Sequence, residues 1–130
     1  MAGAGVSWET EDIPEDDALF MRAHAMHYVD GELQAGVFKE RGTGISMDWS
    51  KYATAGDTRR RAKTPNQNAV IRLVVGSVRQ IESLGVHHDP SPETDNRAHS
   101  EVRGIGTGVD KTRRRIELLR CATTVIPLDE

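Results

Sequence analysis

The run Asn68–Val75, NAVIRLVV, is apolar at every position except Asn68 and Arg72. Read as a strand, it puts apolar side chains on both faces, so it belongs inside a sheet with cover above and below. Gly76 ends it, and the rest of the chain must supply the partners and the cover. At 130 residues, 37% hydrophobic and 28% charged, there is material for one modest core and hardly two. One domain is therefore expected. The apolar content excludes wholesale disorder, no apolar run approaches a membrane span, and the lone Cys121 cannot close an internal disulfide. Cys121 reads as a small buried hydrophobe.

Partner strands are visible on either side of that run. From Ala18 the pattern has period two, with Leu19, Met21 and Ala23 on one side and Phe20, Arg22 and His24 on the other. It predicts a strand continuing through Met26 to Val29, where Asp30-Gly31 turns a hairpin into Glu32–Phe38. Ile45, Met47 and Trp49 alternate with Ser46, Asp48 and Ser50, one face apolar and the other polar. Leu84–His88 and Ala98–Arg103 read as further strands, separated by the loop DPSPETDN. Thr123–Leu128 reads as an edge strand, because Pro127 cannot donate in a central ladder.

Helices are fewer. Asp57 is expected to cap a short one ending near Lys63, and Ser77 with Gln80 forms a weak capping box before Val78–Ser83. Asp110 is expected to cap a long helix over about Lys111–Ala122, with Thr112, Ile116, Leu119 and Ala122 or Cys121 inward and the arginines outward. The fold class is α+β, a mainly antiparallel sheet with one long C-terminal helix and short helical turns.

Charge is uneven along the chain. Residues 1–17 contain six acids and no base, whereas residues 18–130 have 14 acids and 17 bases, net +3. The acidic lead is expected to be mobile or loosely attached, although Val6, Trp8 and Ile13 are apolar handles by which it could dock. With no Lys or Arg and no apolar h-region, it resembles neither a secretory signal nor a transit peptide, so a cytoplasmic setting is expected.

Two polar clusters carry the candidate chemistry. Arg22 and His24 on one strand, with Ser46, Asp48 and Ser50 on another, combine a guanidinium, an imidazole, a carboxylate and hydroxyls suited to a phosphate or sugar hydroxyl. The alternative is an ordinary solvated sheet face. The second cluster, Asn96-Arg97-Ala98-His99-Ser100-Glu101, lies at a loop–strand junction, where His99 can act as a general base and Arg97 can neutralise an anion. Its alternative is a turn at Asn96 and a histidine bonded to a backbone carbonyl. His24 and His27, three apart on a strand, would face opposite ways and not chelate, and no metal is expected. Gly104, Gly106 and Gly108 fit neither a dinucleotide fingerprint nor a P-loop and read as a flexible turn. Arg59–Arg61 and Arg113–Arg115 read as solvated helix faces, and scarce aromatics argue against nucleic acid as a partner.

The order Arg22-x-His24, Phe38, Ser46-x-Asp48-x-Ser50, Asn96-x-x-His99 resembles a group of short uncharacterised bacterial proteins, a likeness that implies no activity. A second resemblance is to the ADP-ribosyltransferase fold. It implies that Arg22 or His24, Ser46 or Ser50, and Glu101 hold NAD in a cleft, although the serine strand comes early for that pattern.

Three functions remain open on these readings. The leading one is binding of a small anionic, nucleotide-like ligand through a polar cleft, with no resident cofactor. The second is an enzyme, either transferring from NAD through Glu101 or cleaving a phosphodiester with His24 and His99 as an acid–base pair. The third is a protein-interaction module using the acidic lead or a sheet edge.

Overall fold

A computed structural model describes residues 7–128. In chain order the elements are β1 (Ala18–His24), β2 (Tyr28–Val29), β3 (Glu32–Leu33), β4 (Ile45–Trp49), α1 (Ala55–Arg60), β5 (Asn68–Val74), α2 (Val75–Arg79), β6 (Gly85–His88), β7 (His99–Arg103), α3 (Gly108–Cys121) and β8 (Thr123–Ile126). Six strands form one sheet in the order β6-β7-β4-β1-β5-β8, every adjacent pair antiparallel, and β2 and β3 form a separate hairpin. The architecture is the α+β arrangement expected from the sequence.

Strand β5 lies inside the sheet, one position from the β8 edge, while β1 and β4 hold the centre. It pairs with β1 along its whole length, from Ala18↔Val74 to His24↔Asn68. Ala69, Ile71 and Leu73 join the main core with Leu19, Met21, Met47, Trp49 and Val102. Val70 is buried on the other face, where α1 packs against β1 and β5. Both faces of the apolar run are thus covered.

Several local expectations are corrected. The first strand stops at His24, where Ala25–His27 form a single 3-10 turn, because the His24 ring accepts the Met26 N–H and bends the chain out of the ladder. The Asp30-Gly31 turn is present with φ of 51° and 81°, but β3 ends at Leu33 and a 3-10 turn over Ala35–Val37 follows. Thr54, not Asp57, caps α1; Asp57 is the reciprocal member of the capping box and accepts the Thr54 N–H. Helix α2 begins at Val75, ahead of Ser77, with no side-chain cap.

The acidic lead supplies what α2 lacks. The first N–H groups of a helix have no partner within it. Here Asp17 O accepts from Val75 N at 2.9 Å, and Glu15 O accepts from Gly76 N at 2.9 Å. Ile13, 2% exposed, enters the core; its carbonyl takes Arg79 Nη1 at 2.6 Å. Trp49 Nε1 donates to Asp17 Oδ2 at 2.8 Å. Solvation of like charges predicts a loosely attached lead, whereas residues 13–17 are held by these bonds and by one buried isoleucine. Val6 lies outside the described residues.

Helix α3 follows its apolar pattern at the C-terminal end, where Leu119, Cys121 and Ala122 pack against the core, and departs from it earlier. Leu118 and Arg114 are buried, while Thr112 and Ile116 face outward and Val109 is 81% exposed. Arg114 Nη1 donates to Ile105 O at 3.2 Å and Nη2 to Ser83 Oγ at 3.2 Å, while its Nε is buried without a partner, so an arginine expected to face outward is drawn under the helix by its two terminal nitrogens. The helix starts at Gly108 with Thr107 as its N-cap, and Asp110 sits in its first turn. No described helix is long and apolar enough to cross a membrane.

Candidate functional site

Pleating and register assemble the polar face. Ser46 is opposite Glu101, Asp48 is opposite His99 and Phe20 is opposite Asp48, so alternate residues of β1, β4 and β7 point away from the apolar core. On that side α1, the Lys39–Arg41 segment and the Ser91–Asn96 loop border a recess of about 570 Å³. Arg22, His24, Ser46, Asp48, Asn96 and His99 all line it. Six of the nine residues singled out in the sequence therefore share one hollow.

The other three lie elsewhere. Ser50 Oγ accepts the Ala18 N–H at 3.1 Å and closes the end of the sheet. Arg97 stacks its guanidinium over the Tyr52 ring, 4.3 Å from the centroid, with Glu11 Oε2 at 3.9 Å. Glu101 is buried beside the recess, where Oε1 accepts from Thr43 Oγ1 at 2.6 Å and Arg103 Nε at 2.8 Å. Burial pushes the Glu101 carboxyl up, but these two hydrogen bonds, the Arg103 charge and His99 outweigh it and hold the group below its ordinary value of 4.5.

Asp48 anchors the floor. It is 4% exposed; Oδ2 accepts from Thr58 Oγ1 at 2.7 Å and Oδ1 from Asn96 Nδ2 at 2.8 Å. Asn96 Oδ1 in turn accepts the Ala98 N–H at 3.1 Å. The carboxylate thus ties β4 to α1 and to the loop before β7, a positioning arrangement whose oxygens are already occupied. Arg22 Nη1 donates to the Thr58 carbonyl at 3.1 Å, which fixes the guanidinium while leaving most of its donors free.

The rim is cationic. Arg22, Lys39, Arg41 and Arg61 line the recess, and among the described residues Asp48 is its one carboxylate. Among the described residues none of the four cations is in an ion pair. His27 is also in the lining; burial, and after it the charges of Lys39 and His24, push its imidazole below its ordinary value of 6.5.

The two histidines among those six residues are held differently. His24 Nδ1 accepts the Met26 N–H at 2.9 Å, so Nε2 carries the hydrogen and faces Gln67 Oε1 at 3.3 Å. His99 Nδ1 lies 2.8 Å from Asp89 O and 3.3 Å from Asp89 Oδ2, both acceptors, so the hydrogen is on Nδ1. Its Nε2 then presents a lone pair to Ser46 Oγ at 3.3 Å. Asp89, His99 and Glu101 also bring one ligand atom each within 4.8 Å of one another. The Arg103 cation bonded to Glu101 opposes a second positive charge there.

Sequence reasoning missed Asp89, Thr58 and the rim residues Lys39, Arg41 and Arg61. Asp89 falls in a segment assigned to a loop by composition, and only the β6–β7 pairing shows that it meets His99. No protein-family model, curated protein or solved structure matches the chain.

Proposed function

We propose that the recess binds a small anionic ligand, with phosphate-bearing, nucleotide-like molecules as the preferred class. The observation that carries this reading is the charge balance: among the described residues, four cations without ion pairs surround a single carboxylate that is buried and already bonded to Thr58 and Asn96. Cations crowded without partners repel one another, and a bound anion relieves that repulsion while gaining charge-assisted hydrogen bonds. The size agrees, since small-molecule sites span roughly 300–1,000 Å³. Arg22 and the rim cations meet the negative charge, His24 Nε2–H donates, and Ser46 offers a hydroxyl at the floor. Asp48 shapes the site through Asn96 and Thr58.

Thermal-shift measurements with NAD, ADP-ribose and mononucleotides at millimolar concentration test this. A ligand that binds only the folded chain stabilises it by about 2.7 kcal/mol at 100 times its Kd. The midpoint should rise in the wild type and rise less in the Arg22→Gln/Arg61→Gln double variant. No shift with any of these ligands removes the proposal.

A further inference from the structure

We infer that Ser46, His99 and Asp89 form a proton relay that makes Ser46 a nucleophile toward small carboxylic esters. The substrate's anionic group would be held by the rim cations, and that half of the inference rests on the proposed function above.

Register builds the relay. Asp48 is opposite His99 on the neighbouring strand, so Ser46, two residues from Asp48, is the diagonal neighbour of His99 on the same face. A serine and a histidine so placed reach each other across the ladder, with Nε2 to Oγ at 3.3 Å. Separations slightly beyond 3.2 Å are common before substrate arrives. Two bonds join the end of β6 to the start of β7: Asp89 N donates to His99 O at 2.9 Å, which fixes the backbones, and His99 Nδ1 donates to Asp89 O at 2.8 Å, which orients the ring. With Asp89 Oδ2 3.3 Å from Nδ1, a carboxylate also stands where imidazolium charge would develop. Such a constellation is recognised by geometry and roles rather than chain order. Ser46 and His99 are both partly accessible and both line the recess.

The chemistry balances without a cofactor. Ser46 Oγ bonds to the acyl carbon as its proton passes to His99 Nε2. The bond from that carbon to the leaving oxygen breaks, and the leaving oxygen takes the proton from His99. Water then adds to the acyl carbon by the same route, giving up its proton to Nε2, and Ser46 Oγ leaves and recovers it. Negative charge on the tetrahedral intermediates forms in a recess whose lining cations favour it. Ser46 and His99 are the catalytic residues; Asp89 is a positioning residue.

The test treats the full chain with diisopropyl fluorophosphate and locates the adduct by peptide mass spectrometry, beside 4-nitrophenolate release from 4-nitrophenyl hemisuccinate. The expected result is an adduct on Ser46, formed about 100-fold or more slowly in His99→Gln. Asp89→Ala should slow it too, with rate recovered in Asp89→Glu, a rescue that a purely structural role for Asp89 would not give. No adduct on Ser46 in the wild type, or one formed equally fast in His99→Gln, overturns the relay. Because the phosphorylating probe carries no charge, it reads the relay independently of the rim cations, and failure of anion binding shows separately in the thermal shifts.

Discussion

Asn96 Nδ2 donates to Asp48 Oδ1 at 2.8 Å, joining the middle of the sheet to the loop that borders the recess. Both residues are buried, so neither end of this bond has water as a substitute. Losing one partner of such a pair leaves a charged acceptor short of a donor. Asn96→Ala should cost about 2 kcal/mol, measured by urea unfolding. A loss below about 0.5 kcal/mol would mean that Asp48 is satisfied without it.

The lead is part of the fold from Glu11 onward. Ile13→Ala removes a buried side chain from the core cluster and should destabilise by about 3 kcal/mol, detected as a lower denaturation midpoint with unchanged slope. If the midpoint does not move, the lead does not dock in solution.

Acid should weaken the chain through identifiable groups. Glu101 and Glu11 both have carboxyls held below 4.5, and His27 is held below 6.5. For Glu11 the Lys51 and Tyr52 hydrogen bonds are the main cause. In each case the unfolded chain takes up a proton before the folded one. The stability linked to His27 is therefore complete above 6.5 and that linked to the glutamates above 4.5, and each part is lost as pH falls through the lower folded value. Unfolding free energy measured from about pH 7 down to pH 3 should decline, and less steeply in Thr43→Val, which removes one of the bonds depressing Glu101. A flat profile would contradict the assignment.

Gly104 tests the turn into α3. Its φ is 99°, and a Cβ there would stand 2.0 Å from Ser83 O. Gly104→Ala should cost at least about 2 kcal/mol from backbone strain before the clash is counted. Gly42→Ala, with φ of 68° and open space around it, isolates the strain alone and should cost less. Equal costs for the two would show that the Ser83 contact does not matter.

The extended elements were the readable part, because alternation in ALFMRAH and ISMDW records a face directly. That Arg22, Ser46 and His99 converge follows from strand order, which no local pattern contains. Arg97 and His99, two residues apart, separate because the strand begins only at His99: Arg97 lies in the preceding loop, its carbonyl bonded to the His88 ring at 2.7 Å and its guanidinium over Tyr52. Helix α3 misled because hydrophobicity assigns Ile116 inward, whereas hydrogen bonds at Ile105 and Ser83 draw Arg114 under instead.

The most direct test of the recess as a ligand site is an amide-resolved NMR titration of the full chain with AMP. Shift changes should concentrate on Arg22, Ser46, Asp48, Asn96 and His99, from three separate stretches of sequence, with one common saturation curve. Changes confined to the exposed residues of α3, or none at millimolar AMP, would contradict it.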